Sequence, residues 1–328
     1  ILDYGQKLLL PMDSRGALEA RQAIARNLSD FRGMDVDPEN ILLGAGTDFL
    51  YNLLLQLLGQ DKVYAVEDPG YGKIRKIYAA GGVTCLSVPM DASGIRPDCL
   101  GEARVLHLSP AHHFPTGLVT PLHRRRALID WAQRVDGFII EDDYDTEFRF
   151  QGRPLAPMQT MDPERVIYMN TFSKTLSPSI RISYMVLPQA LMARFREKLG
   201  FYGCTVPSFE QYTLAYFLDR GYFEKHINRM RKFYRARRNR VIAMLERCPA
   251  ADKLTILEQD AGLHFLLKVE TALDDRALTA LFAQSGLHVQ PLSSFHTHPT
   301  EDCRGMLVIN YSAVDERALE EGLGKLEI

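Results

Sequence analysis

The strongest constraint on this chain is a rhythm. Between residues 41 and 186, short runs of aliphatic and β-branched residues alternate with longer stretches that carry helical spacing. Such alternation specifies βα units wound about a mainly parallel sheet. The expected strands are Ile41–Leu43, Val63–Val66, Thr84–Val88, Arg104–Leu108, Gly137–Ile140, Arg165–Met169 and Ile182–Val186. Between them, Asp48–Leu58, Gly70–Ala80, Pro121–Val135 and Pro188–Phe201 read as helices, with Pro121 and Pro188 where a first helical turn tolerates proline. The fold class is therefore α/β, with a large, mainly parallel, seven-stranded layer.

A long charged helix from Tyr222 to Cys248 opens a different pattern. It is followed by strands at Leu254–Leu257 and Leu263–Val269, a helix near Asp274–Gln284, strands near Leu287–Gln290 and Met306–Tyr311, and a last helix from Asp315. This predicts a smaller α+β lobe. The opening stretch, apolar at Leu18, Ile24 and Leu28, is expected to pack on that lobe as a helix. The predicted division is 1–36 for this N-terminal segment, 37–222 for the large domain and 223–328 for the small lobe.

With 46% hydrophobic and 24% charged residues over 328 positions, the chain can bury a sizeable core. Its net charge of −2 gives no global positive field, so any contact with nucleic acid must be local or supplied by another segment. Cys85, Cys99, Cys204, Cys248 and Cys303 are scattered and never form a CxxC pair, which argues against a disulfide framework and fits a reducing cytoplasm. The longest apolar run, Phe49–Leu58, is too short to cross a bilayer, so no membrane role is expected. Ile1–Pro11 has no signal-peptide pattern, and a start at Ile rather than Met is read as the C-terminal piece of a longer protein.

Three stretches carry chemistry. Gly44–Ala45–Gly46–Thr47 ends a strand at a helix start, where free N–H groups and the positive end of the helix suit a phosphate; a tight βα turn alone would also explain these glycines. Glu141–Asp142–Asp143–Tyr144–Asp145 ends another strand, where ligands sit in open α/β sheets. It could hold a metal, or a single carboxylate could pair with a protonated ring nitrogen. Thr171–Phe172–Ser173–Lys174, with Arg181 seven residues on, could present a Schiff-base lysine, or merely a solvated one. Together and in this order, phosphate cup, carboxylate and lysine are the parts that pyridoxal phosphate needs.

On these residues the chain resembles the fold-type I pyridoxal-phosphate enzymes. From Arg15 to Tyr311 it is similar to the aminotransferase-like domain of the MocR (GabR-like) subfamily of GntR transcription regulators. The resemblance is carried by Asp68–Pro69–Gly70–Tyr71, by the run from Ser109 to Gly117, by the string from Glu141 to Arg149, and by Thr171–Lys174. It implies that Lys174 is the internal aldimine lysine, that Asp142 pairs with the pyridine nitrogen and that Tyr144 donates to the phenolate oxygen. Tyr71 would stack on the ring. The phosphate would rest on the amides of Gly46 and Thr47, with Thr171, Ser173 and Arg181 adding bonds. Where relatives commonly carry Asn, this chain has Phe114, and His113 is expected to stand in. Arg304 is the candidate for an effector carboxylate. Leu10–Ser14 lacks the tyrosine that relatives extend to the partner subunit's phosphate.

Two functions follow. The resemblance implies an effector-sensing domain of a transcription regulator, a homodimer that senses an amino acid, an amine or pyridoxal phosphate itself by aldimine exchange, with DNA bound by a winged-helix domain outside this chain. The alternative is a free-standing aminotransferase. Other features have plainer readings. The basic stretch Arg229–Arg240 is expected to be a solvated face that buries Ile227, Met230, Tyr234, Val241 and Leu245, and His296 with His298 belongs to a loop rather than a metal site.

Overall fold

The computed structural model of the protein describes residues 5–150, 156–258 and 262–326. Its large domain is built on strands β1 (Ile41–Ala45), β2 (Tyr64–Asp68), β3 (Cys85–Asp91), β4 (Gly94–Ile95), β5 (Val105–Leu108), β6 (Phe138–Asp142), β7 (Val166–Thr171) and β8 (Ile182–Val186). They lie in the order β1-β8-β7-β6-β5-β2-β3-β4. All seven expected strands are present. The addition is β4, two residues that pair antiparallel with the end of β3. Pairings β2–β3, β2–β5, β5–β6 and β6–β7 are parallel, whereas β8 runs antiparallel to both β1 and β7.

Alternation along the strands feeds two apolar layers. Ile140, Ile167 and Met169 face helices α2 (Thr47–Leu58), α3 (Gly72–Ala80) and α6 (Gln189–Lys198). On the other side, Ile139 and Val166 meet α4 (Leu122–Arg134), while Leu43, Tyr168 and Tyr184 meet α1 (Leu18–Arg32) and α7 (Ser208–Asp219). A short helix, α5 (Phe172–Thr175), follows β7 directly and is capped by the Thr171 hydroxyl, which accepts the Ser173 N–H.

The small lobe begins with α8 (Tyr222–Leu245) and contains β9 (Leu254–Leu257), β10 (His264–Val269), α9 (Asp275–Gln284), β11 (Gln290–Pro291), β12 (Met306–Asn310) and α10 (Glu316–Leu323). Its strands form an antiparallel sheet in the order β11-β12-β10-β9 around Phe265, Leu267, Phe282 and Leu307. Asp274 and Asp315 cap α9 and α10.

Three expectations are corrected here. Helix α1 packs on the large sheet and α7 rather than on the small lobe: Ile24 and Leu28 are buried against Leu43 and Tyr184, and Leu18 is exposed. The strand expected near Leu287–Gln290 is reduced to Gln290–Pro291, because Leu287 turns into the lobe core beneath α9. Along α8, Ile227, Val241 and Leu245 are buried as expected, but its arginines are not simply solvated: Arg235 donates to Phe150 O at 2.7 Å and Arg237 to Ser312 O at 2.7 Å.

Candidate functional site

Strand directions bring the three motifs together. Because β8 is antiparallel to both neighbours, the C-terminal ends of β1, β6 and β7 and the N-terminal end of β8 lie on one edge. That edge carries Gly46, Asp142, Thr171 and Arg181. They open on a cleft of about 350 Å3 whose wall includes Thr47, Tyr71, Asp142, Tyr144, Lys174 and Arg181, together with Thr171 and Ser173. Crevices beyond the carboxyl ends of strands are where open α/β sheets bind ligands.

Asp142 is buried at the end of β6. Its Oδ2 accepts the Tyr51 hydroxyl and lies 3.5 Å from His107 Nε2, while its Oδ1 has no partner among the described residues. His107 is held by the Tyr78 hydroxyl, 2.6 Å from Nδ1. Burial, and then the Asp142 charge, push the Tyr51 phenol well above its ordinary range. The Tyr144 phenol is raised by burial and by Asp145, so it stays a protonated donor. Lys174 is exposed to the cleft, and its amine bonds to no other described residue.

The acidic string divides its work. Glu141 accepts the Met158 and Gln159 N–H groups at 2.9 and 3.0 Å. Asp143 pairs with Arg32 at 2.5 Å, and Asp145 lies 3.0 Å from His112 Nδ1. Only Asp142 and Tyr144 of this string line the cleft.

Three expected residues act differently from the reading of the sequence. The Gly46 N–H is already donated to Gly44 O at 2.8 Å, so this glycine contributes space: a Cβ there would overlap the Arg181 guanidinium. His113 lies outside the cleft wall, with Nδ1 2.7 Å from Thr116 Oγ1 and Nε2 3.5 Å from Glu67; burial holds it neutral, down to about 3, and Phe114 occupies the wall instead. Arg304 donates to Ala272 O at 2.6 Å on the outside of the small lobe and is not among the cleft residues. The hydroxyls of Thr171 and Ser173 face the cleft but donate to Ile182 O and Ile180 O, at 3.4 and 2.9 Å.

Sequence reasoning missed Tyr51, His107 and Glu67. Glu67 accepts the Ser109 N–H at 2.9 Å, has Oε1 unpartnered, and is raised by burial to about 8. Tyr51 lies within an apolar helix and reads as core. Glu67 precedes the Asp68–Gly70 turn, and that position at a strand end was its only signal.

Comparison with known proteins decides the family. The profile described as Aminotransferase class I and II matches residues 3–326. The uncharacterized HTH-type transcriptional regulator YdeL of Bacillus subtilis (strain 168) is 37% identical over 328 residues, covering 99% of this chain and 70% of that protein. The probable rhizopine catabolism regulatory protein MocR of Rhizobium meliloti is 33% identical over 312 residues, covering 93% and 62%. The chain belongs to the aminotransferase class I and II family, in its MocR-type regulator branch. Among solved structures, this MocR-type chain is similar to Pyrococcus horikoshii kynurenine aminotransferase, with a TM-score of 0.83 and 25% identity over 99% of this chain and 83% of that one.

Pyridoxal phosphate is the cofactor of this family, and the cleft of the MocR-type chain fits it. Asp142 presents a buried acceptor oxygen without a partner among the described residues, as a protonated ring nitrogen requires. Gly46 leaves room beneath Arg181, beside the start of α2, as a phosphate requires. Lys174 supplies an amine on the same wall.

Proposed function

We propose that the chain is the effector-sensing part of a MocR-type regulator, holding pyridoxal phosphate at Lys174 and yielding that attachment to an effector amine. Pyridoxal phosphate, when bound, supplies an electrophilic aldehyde carbon conjugated to an electron-withdrawing ring. Asp142 would hold a proton at the ring nitrogen, with Tyr51 and His107 fixing its carboxylate. Tyr144 would donate to the phenolate oxygen, Tyr71 would cover one ring face, and Thr47 N–H with Arg181 would hold the phosphate. The observation that carries this reading is the convergence of Lys174 and the unpartnered Asp142 oxygen on one cleft.

In the whole protein we place DNA contact in a helix-turn-helix segment, a reading supported by the relative named an HTH-type transcriptional regulator. We also propose a homodimer, for which exposed Leu9, Phe201 and Phe209 supply apolar surface. Adding pyridoxal phosphate to the protein and then a panel of amines and amino acids tests the sensing role. The expected result is a violet absorbance that depends on Lys174 and shifts with one effector class. Sustained turnover with a keto acid at about 1 per second or faster would favour a working aminotransferase instead.

A further inference from the structure

The string from Glu141 to Arg149 serves the cofactor cleft with only some of its residues. Asp142 and Tyr144 line the cofactor cleft, whereas Asp143 pairs with Arg32 of α1 and Thr146 and Glu147 line a different space. This is a second cavity of about 270 Å3, walled by α1 and α8. Its apolar wall includes Leu28, Phe31 and Ile227.

The polar side of this cavity is unusual. The Arg32 side chain is 8% exposed; its Nη2 pairs with Asp143 at 2.5 Å, and Asp143 also accepts the Tyr168 hydroxyl at 2.6 Å. Arg32 Nε, however, has no partner among the described residues. On the same lining, Glu147 Oε2 and Thr146 Oγ1 also lack a partner among the described residues, and Glu147 Oε1 has a long 3.5 Å contact from Asn170. Among the described residues, Arg32 and Glu147 form no ion pair with each other, although both line this space. Buried polar atoms are normally paired, and leaving one unmet is unfavourable. An arginine N–H and a carboxyl–hydroxyl pair facing one space without touching are complementary to a molecule that carries both an acceptor anion and a donor cation, and an ammonium beside Glu147 would favour the carboxylate form that burial and Asp143 oppose. Arg231 and Glu224 add one charge of each sign to the lining.

We propose that this second cavity binds a small zwitterion of the α-amino-acid class, its ammonium on Glu147 Oε2 and Thr146 Oγ1 and its carboxylate on Arg32 Nε. The site lies on the face opposite the cofactor cleft, and adjacent residues of one strand end, Asp142 and Asp143, reach the two. It is thus separate from any exchange at Lys174.

The test uses the full-length protein loaded with pyridoxal phosphate and reduced with borohydride, so that Lys174 cannot exchange. Calorimetric titration with glycine, L-alanine and L-serine, and with methylamine and acetate as half-ligands, reads the second cavity alone. At least one zwitterion should bind, with neither half-ligand matching it, and Glu147→Gln and Thr146→Val should each weaken it by about tenfold or more. Both substitutions keep side-chain shape, and the absorbance of the bound cofactor reports that each variant is folded. No binding up to about 10 mM, or binding that both variants leave unchanged, overturns the proposal. A crystal soaked in the same amino acid that holds only water beside Arg32 does so as well. Spectral shifts in unreduced protein report on Lys174 independently, so the failure of one reading is distinguishable from the failure of the other.

Discussion

Gly46→Ala separates the conformational role of this glycine from its steric one. Gly46 has φ 92° and ψ 161°, a region open to glycine and closed to residues with a Cβ, where strain amounts to about 1–3 kcal/mol. The added Cβ would also overlap the Arg181 guanidinium. Arg181 is flexible, with its side chain 53% exposed, so it can swing away at little energetic cost to the fold. What suffers is its position over the cleft. An exposed charge-assisted bond contributes about 1–2 kcal/mol, so cofactor affinity should fall roughly five- to thirtyfold. Stability should fall by the backbone strain alone, a drop in urea midpoint of about 0.3–1 M at a slope near 3 kcal/mol per M. Two assays read these effects: urea unfolding of the cofactor-free protein, and an absorbance titration with pyridoxal phosphate. The double variant Gly46→Ala with Arg181→Ala should be as unstable as the glycine variant and should bind no worse than Arg181→Ala, because the two substitutions act on one guanidinium. Affinity losses that multiply in the double variant would refute displacement of Arg181 as the route, and a single variant that matches the parent in both assays would refute the strain argument itself.

Further outcomes follow from the same geometry. Lys174→Ala should abolish the adduct that borohydride fixes, read as the missing mass increment, while leaving weaker, dialysable cofactor binding. Arg32→Met leaves Asp143 buried without its cation and should destabilise the chain by about 3–5 kcal/mol in chemical denaturation; a loss below 1 kcal/mol would show the pair to be solvated. The pH dependence has a definite sign. Glu67 is raised to about 8 and Glu141 and Glu147 to about 7, so the folded chain holds more protons than the unfolded one, and stability falls as pH rises through these values. His113 and His264, lowered to about 3, act oppositely, but only below the ordinary histidine range, near 6.5. Between pH 7 and 8.5 the carboxyl effect should dominate, so the urea midpoint of the cofactor-free protein should drop, and Glu67→Gln should flatten most of that drop.

The large domain was legible in the sequence because its periods are unambiguous. Strands β2, β5, β6 and β7 are short apolar runs buried almost throughout, and the connections through α2, α3 and α4 are helices of ordinary length, so the expected and observed elements differ mostly by a residue or two. Less legible were elements whose identity depends on partners far away in sequence. Helix α7 carries Phe209 and Tyr216 on its exposed side, which blurs its apolar stripe; Tyr212 and Leu214 are nevertheless buried, and Gln211 ties it to α1 by accepting the Ala17 N–H at 2.7 Å. The packing of α1 failed for a related reason. Leu18, Ile24 and Leu28 declare an amphipathic helix but not which surface receives it, and two of the three find the large sheet while Leu18 stays exposed.

At the site, what could be read was the chemistry that needs one residue at a strand end, and what could not was the chemistry shared between strands. Lys174, Asp142, Tyr144 and Arg181 sit where topology alone places them, on the edge made common by the antiparallel course of β8. His113 illustrates the opposite case. As a polar residue beside Phe114 it qualified as a donor to the cofactor, yet the turn at Phe114–Thr116 sends its ring toward Glu67 and Thr116 and leaves Phe114 on the wall. The string from Glu141 to Asp145 makes the point most fully. Four carboxylates in five positions read as one cluster, but the alternation of β6 and the turn after it direct Glu141 to the backbone at 158–159, Asp142 to the cleft, Asp143 to Arg32 and Asp145 to His112. Each carboxylate thereby takes its own donors, although Asp143 still adds to burial in raising Glu141, and Asp142 Oδ1 is left without a partner among the described residues on the string's one carboxylate that lines the cleft.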